Sequence, residues 1–487
     1  MAFVDNEKVQ TSVYLRVIPR RFDYAVYHGI YGGLCLTGQC TIDLLRYFEI
    51  PRSKAEAIRE GRLTSEQAES FVPYFVSKRL LVPGNFGEEG IIVARQQQRK
   101  RELAAGQLIR AVQLILTNHC NFRCEYCFER LGETPLAQTM YAHSSPERIE
   151  SQCSPANATM SCEQVEAYLK VVMETARRAG NNALAVQFFG GEPLVNWNAA
   201  QHVLTNFGNG KDGLALTYSI VTNGSIVTDE IAHVFSDFQV PVIVSYDSPK
   251  GDSRPMTGGK RCHDAVRRGI DVLKRNGIRL ALNAALTNAT FDLFDRDLID
   301  FAFNHGVYEI GVILDLDPSF YERHRADEIV DRLWEMRVYG RSKGIALTGY
   351  WHQIFQGIAA NDRYGQIGFQ NCSAMGVQFS IEPSGAVFAC KASGGYFGNI
   401  LQVADLLRSE TYRKYAMRAC ISPESCRNCE IQHFCGGLCL GSVENIYGGD
   451  IWTVEKTACD LYRDITRRFT ASVTEQEVPA FRLPVRR

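Results

Sequence analysis

Hydrophobic and polar positions alternate with period two over residues 12–18 (SVYLRVI) and 24–28 (YAVYH), as they do in half-buried strands. The Gly32-Gly33 pair is turn chemistry. A helical run, TIDLLRYF, starts at Thr41, and Thr64 or Ser65 caps another, SEQAESFVPYFVSKRLL. Residues 90–94 (GIIVA) read as a last strand, and the charged stretch 95–101 as a linker or connecting helix. Residues 1–95 therefore form a small α+β unit, with a linker over 96–109.

From Arg110 the rhythm changes. Apolar segments at 111–117, 185–189, 216–221, 240–244, 279–285 and 308–314 alternate with stretches of helical period such as 162–179 and 263–276. Repeated βα units imply an α/β fold with a parallel sheet or barrel, here over 110–320. In such folds ligands gather at the C-terminal strand ends. Residues 131–158 are a polar insertion, and 321–371 bridge to the next region. After Cys372 the βα rhythm stops, giving a loop-rich region over 372–465 and a tail over 466–487.

Composition adds one anomaly. The chain is 45% hydrophobic and 22% charged with net charge −1, which predicts neither a nucleic-acid nor an acidic-membrane partner. No apolar run approaches the ~20 residues of a membrane helix, and the polar N-terminus lacks a signal pattern, so a cytoplasmic protein is expected. Yet there are 16 cysteines. In a reducing compartment clustered cysteines bind metal or do redox work more often than they form disulfides. Six are scattered (Cys35, Cys40, Cys153, Cys162, Cys262, Cys420) and read as ordinary small packing residues. The rest fall in two arrays.

The first is Cys120-x3-Cys124-x2-Cys127. Four thiolates would fill the irons of a 4Fe–4S cluster, and three leave one iron open. Alone, the spacing also admits chance or an incomplete zinc site. Three motifs sit at later strand ends: Gly190-Gly191-Glu192-Pro193, Thr222-Asn223-Gly224 and Ser245-Tyr246-Asp247, with Arg254 beyond. Singly they read as turns or caps. In order, together with HCNFRCEYCFE, they resemble the signature of the radical S-adenosylmethionine (SAM) superfamily. The resemblance implies a partial (β/α)6 barrel and a 4Fe–4S cluster on Cys120, Cys124 and Cys127. SAM would be held by Gly190, Gly191, Glu192 and Pro193 at its amino group, with Asn223 in the following turn. Ser245 and Asp247 would face its ribose and carboxylate, Arg254 its carboxylate and Tyr126 its adenine. It further implies a 5′-deoxyadenosyl radical and an electron donor such as flavodoxin or ferredoxin.

The second array comprises Cys372, Gly385-x4-Cys390, Cys426-x2-Cys429-x5-Cys435-x3-Cys439 and Cys459. Seven cysteines are too many for one zinc and suit two sites. With Gly398-Asn399-Ile400, the array resembles the SPASM domain of radical SAM peptide maturases. That implies two auxiliary 4Fe–4S clusters, three clusters in all. One would use Cys372, Cys390 and Cys439, the other Cys426, Cys429, Cys435 and Cys459. Some SPASM enzymes complete the first cluster with a further cysteine where this chain has Gln378. Sulfatase-maturing relatives carry an acidic base after the second SPASM cysteine, where this chain has Lys391, which argues against formylglycine formation.

The first 95 residues resemble, in pattern, a winged-helix-like peptide-recognition domain fused to many peptide maturases, in which a leader peptide adds a strand to a sheet edge. The expected activity is oxidation of a ribosomally made, leader-bearing peptide or small protein, joining side chains by a C–C or thioether crosslink. Alternatives are a sulfatase-type maturase, a peptide epimerase, a small-molecule radical enzyme, an iron–sulfur electron carrier or scaffold, and a zinc-binding interaction protein. His352 and Lys391 lie where a base could face the lumen, but structural or surface roles suit both better.

Overall fold

The computed structural model describes residues 6–129, 146–147, 158–211, 213–315, 317–360, 372–448 and 450–484. Most of the expected insertion at 131–158, and Cys153 within it, lies outside these.

Strands β1 (Lys8–Thr11), β2 (Leu15–Pro19), β3 (Tyr24–His28), β4 (Gly32–Thr37), β5 (Arg52–Ser53) and β6 (Leu81–Pro83) build the N-terminal unit. β2, β3 and β4 form an antiparallel meander, while β5, β1 and β6 form a separate three-stranded sheet. The single strand expected at 12–18 is therefore interrupted. Ser12 Oγ (2.6 Å) and Val13 N–H (2.8 Å) donate to Glu88 instead of to a ladder partner. Thr64 caps the helix Ser65–Ser77 through a capping box with Gln67.

Residues 90–94 are not a strand. They open the helix Glu89–Ala104, because the strong helix formers that follow carry the segment with them. Arg99 anchors this helix with guanidinium bonds to the carbonyls of Ala416 (3.1 Å) and Met375 (2.6 Å). The stretch 96–109 is thus mostly ordered helix that docks on the cysteine-rich C-terminal region.

The central sheet is built from β7 (Ala111–Ile115), β8 (Ala183–Phe189), β9 (Gly210–Lys211), β10 (Leu214–Thr222), β11 (Val242–Ser245), β12 (Leu280–Leu286), β13 (Glu309–Leu314) and β14 (Ala346–Thr348). Apart from the short antiparallel β9, neighbours run parallel in chain order, β7-β8-β10-β11-β12-β13-β14. Strands taken in sequence with a helix after most of them wind one way into a partial (β/α)6 barrel. Burial alternates along the strands. Leu184, Val186 and Phe188 of β8, with Leu216, Tyr218 and Ile220 of β10, are buried in the core, while Gln187, Ser219 and Val221 between them are only half-buried.

β15 (Gln378–Ile381), β16 (Ala386–Phe388) and β17 (Tyr396–Asn399) extend the same sheet past β7, with β15 parallel to β7. The C-terminal region is therefore an extension of the barrel wall. The helix Lys456–Ser472 crosses the boundary expected at 465/466. Beyond it, β18 (Ala480–Phe481) pairs in parallel with β4, closing that edge of the N-terminal meander. Phe481, 6% exposed, packs its ring 4.7 Å from Tyr74, 4.9 Å from Phe75 and 6.0 Å from Phe71. Phe481→Ala should cost about 3 kcal/mol or more, read as a lower urea midpoint of the purified chain. A midpoint within error of wild type would show that the returning strand is not part of the N-terminal fold.

Candidate active site

The strand ends come together through backbone contact. A Cβ on Gly190 would lie 2.3 Å from the Thr117 carbonyl oxygen, and one on Gly191 2.5 Å from that of His119. Only glycine permits this approach. It lets Gly191 N–H donate to Thr117 O (2.8 Å) and Glu192 N–H to His119 O (2.9 Å), fixing the base of the cysteine loop. The loop is laced along its other side to residues 253–257: Arg123 N–H donates to Pro255 O (2.7 Å), Glu125 N–H to Ser253 O (3.0 Å) and Thr257 N–H to Asn121 O (2.9 Å).

Glu192 is fully buried, and its carboxylate ties the next turn in place. It accepts from Thr222 Oγ1 (2.6 Å), Asn223 N–H (2.6 Å) and Leu194 N–H (3.0 Å). Burial pushes its pKa up, and these three bonds oppose that. Asn223 then donates to Asn121 Oδ1 (2.7 Å) in the cysteine loop, closing the circuit. Asp247 accepts from Tyr126 OH (2.5 Å), Ser253 Oγ (2.8 Å) and Ala285 N–H (3.0 Å). Two carboxylates expected to face the ligand thus also hold the protein around them. Pro193 starts a short 3₁₀ turn and is buried.

A cavity of about 210 Å³ lies among these groups. All six barrel strand ends line it: Cys120, Cys124, Tyr126 and Cys127 after β7; Gly190, Gly191 and Glu192 after β8; Asn223 after β10; Ser245 on β11; Ala285 on β12; and Ile313 to Asp315 at β13. Arg254 also faces it. Its Nε approaches Cys124 Sγ at 3.5 Å, while its buried Nη1 has no hydrogen-bond partner. A buried guanidinium donor aimed at a cavity edged by three thiols suits an anionic ligand group, such as an amino-acid carboxylate, beside a metal cluster. Burial pushes the Cys120 thiol up to about 11 and the Cys127 thiol higher still, so these sulfurs are protonated until metal displaces the protons. Phe128, Glu129 and Asp315 also line the cavity. The sequence signals nothing about Asp315; only its place one residue past a strand end points to it.

The C-terminal cysteines fall into groups. Burial raises the thiols of Cys429, Cys435 and Cys459, to about 12 for Cys435 and about 11 for Cys459, and their mutual charge with Cys426 adds to it. Burial likewise raises Cys372, and Cys439 beside it adds to the shift. No disulfide joins any of the described cysteines. Among the described residues no three of His, Cys, Asp or Glu form a group that could hold a single metal ion. Gln378 opens β15, and its Oε1 accepts from Ser373 Oγ (3.0 Å).

Neither candidate base is a surface residue. Lys391 is buried against Glu129 and Glu382. His352 lies among the rings of Trp351, Phe355 and Phe469, and burial lowers its pKa to about 4.

Known proteins match this geometry. Residues 114–289 match the radical SAM superfamily, and residues 372–430 match the SPASM iron–sulfur cluster-binding domain. The chain belongs to the radical SAM superfamily and carries a SPASM domain. At the level of a single protein, it is 37% identical over 484 residues to the radical SAM cyclopropyl synthase TigE of Paramaledivibacter caminithermalis, with 99% of each chain covered. Membership brings SAM and a 4Fe–4S cluster, with additional iron–sulfur centres in the SPASM domain. Among solved structures, anSMEcpe with bound AdoMet and Cp18Cys peptide aligns at TM-score 0.53 and 17% identity, over 73% of this chain and 95% of that one. Streptococcus suis SuiB bound to precursor peptide SuiA aligns at 0.50 and 11%, over 92% and 99%. At these identities the likeness concerns the fold. No helix among the described residues is long and apolar enough to cross a membrane.

Gly191→Ala should force the cysteine loop off the β8 turn. After anaerobic reconstitution its iron content should fall by about one cluster's worth, four irons, with the C-terminal centres retained. Wild-type iron and SAM binding would show that the close approach is dispensable. His352 gives a pH signature. Its folded pKa (about 4) lies below its unfolded value (6.5), so the unfolded chain binds the extra proton between them and stability falls as pH drops through that window. His352→Phe should flatten the melting-temperature profile there relative to wild type; superimposable profiles would contradict the assignment.

Proposed function

We propose that this enzyme oxidatively modifies a ribosomally made peptide by forming a new carbon–carbon bond within it. One observation carries the reading. The cavity edged by Cys120, Cys124 and Cys127 adjoins a second of about 150 Å³ through the shared residues Ile313, Leu314 and Asp315, and the second is lined by Cys439 of the auxiliary array. A substrate group placed there lies between the radical-generating site and an auxiliary centre, the arrangement an oxidation needs. The name of the full-length relative supports ring closure as the form of the bond, as in a cyclopropyl group. Lys391 in the position of the sulfatase-maturase acid speaks against formylglycine chemistry.

In this reading Cys120, Cys124 and Cys127 hold the SAM-binding cluster. Cys372, Cys390 and Cys439 hold one auxiliary cluster, and Cys426, Cys429, Cys435 and Cys459 hold another. The Gly190-Gly191 backbone brings carbonyl and amide groups to the SAM amino end, and Arg254 takes its carboxylate. Tyr126, pinned by Asp247, walls the adenine side, with Ser245 and Asn223 on the cavity floor. When bound, SAM and its reduced cluster would supply a 5′-deoxyadenosyl radical that removes one substrate hydrogen, the second leaving as a proton and an electron to an oxidised iron–sulfur centre. Ile313 and Leu314 give the edge shared by the two cavities an apolar wall. The N-terminal unit would take the leader of the precursor, and a flavodoxin or ferredoxin in the cytoplasm would supply electrons.

The test uses anaerobically reconstituted enzyme, SAM, dithionite and the short peptides encoded beside its gene. The expected products are 5′-deoxyadenosine and a peptide lighter by two hydrogens, with the loss confined to one residue for a ring or spread over two for a crosslink. A peptide that loses no hydrogens but takes up one solvent deuterium, or release of methylthioadenosine, would overturn the reading.

A further inference from the structure

The cysteine loop and the auxiliary-cluster region meet at one buried cation. Lys391 follows Cys390 directly, and its side chain is 3% exposed. Its ammonium lies 3.0 Å from the Glu129 carboxylate, 3.2 Å from Glu382 and 3.1 Å from Asn118 Oδ1. An ammonium has only N–H donors, and here it faces oxygens of three residues, both oxygens of Glu382 among them. Two of those partners bracket the loop: Asn118 stands two residues before Cys120, and Glu129 two after Cys127. Glu129 also lines the cavity edged by the three cysteines.

The lysine itself cannot drift. Its own N–H donates to Gln113 Oε1 (3.2 Å), which also accepts from Ser380 Oγ (3.1 Å), and Gln113 Nε2 donates to Gln187 Oε1 (2.8 Å). Gln113 is on β7, Gln187 on β8 and Ser380 on β15. The backbone at Lys391 is thereby tied to Gln113, itself bonded to β8 and β15, while the side chain grips both shoulders of the loop. An apolar residue would fill this space without the desolvation penalty of a buried charge. What the lysine adds is direction.

We propose that Lys391 is a positioning residue for the radical-generating site, setting the conformation of residues 118–129 from the auxiliary-cluster region. SAM affinity and the electronic signature of the SAM-binding cluster then depend on a residue outside the barrel. The proposal rests on superfamily membership and does not depend on the peptide substrate.

The test compares reconstituted wild type, Lys391→Met, Lys391→Arg and Glu129→Gln. Each is read by iron content, by the electron paramagnetic resonance spectrum of the dithionite-reduced enzyme with and without SAM, and by SAM affinity. Lys391→Met and Glu129→Gln should keep the auxiliary signals, lose the SAM-induced spectral change, and bind SAM about tenfold more weakly, a difference of about 1.4 kcal/mol. Lys391→Arg should recover part of both, since a guanidinium reaches the same acceptors. If Lys391→Met fails to load its clusters, Glu129→Gln decides on the same readouts, because it keeps the Lys391–Glu382 pair. Wild-type SAM response and affinity in Glu129→Gln, or in a loaded Lys391→Met, would overturn the proposal and leave Lys391 a packing residue.

Discussion

Two strand ends approach so closely that no side chain fits between them, and the site is organised around that contact. Gly190 and Gly191 bring the end of β8 against the carbonyls of residues 117–119, and the amides that result fix where the cysteine loop begins. The Glu192 carboxylate, carried past the contact, reaches across to Thr222 and Asn223, and Asn223 returns a bond to Asn121 inside the loop. Loop, β8 turn and β10 turn form a closed ring of hydrogen bonds. Break the backbone contact and the carboxylate loses its reach, the turn loses its acceptor and the loop loses its inner partner. Buried polar groups in such a ring are costly to leave unsatisfied, so the ring holds as a unit or not at all.

That ring explains how two acidic residues with the look of ligand contacts also do structural work. Glu192 and Asp247 each accept three protein hydrogen bonds. Among the described residues, Arg254 is left with a buried unpartnered donor at the cavity. Arg254 and the backbone at Gly190 and Gly191 thus line the cavity from positions that these carboxylates help to fix. Preorganisation of this kind suits a reaction in which a reactive species must be held still.

The barrel was legible in the sequence because its signals are local. Period-two burial in β8 and β10 leaves an alternating pattern, and each glycine- or asparagine-bearing turn falls where a strand stops. Residues 90–94 misled because five apolar-rich residues fit either period, and the helix formers after them decide. What the sequence could not display is partnership at long range. Glu129, Asp315 and Gln113 carry no motif, and their roles arise from strands brought side by side across hundreds of residues. β15 adds to β7 and β18 to β4 for the same reason: a four-residue or two-residue strand has too little pattern to announce its partner.

The same long-range joins bind the regions into one body. Gly32 allows β4 to touch the helix Tyr350–Ala359, where a Cβ would meet the Gly357 carbonyl at 2.6 Å. Arg99 reaches from the N-terminal helix to the backbone at Met375 and Ala416. Arg418, fully buried, donates to the carbonyls of Ile451 and Ile421 within the cysteine-rich region. These arginines satisfy carbonyls that short, irregular segments cannot pair among themselves. They also place positive charge in the region that holds the thiols, and Arg418 acts on Cys426 and Cys435. Burial keeps those thiols protonated, and a metal must displace the protons to bind. A nearby buried cation favours the thiolate form, so Arg418, which completes the fold of this region, also opposes part of the effect of burial at Cys426.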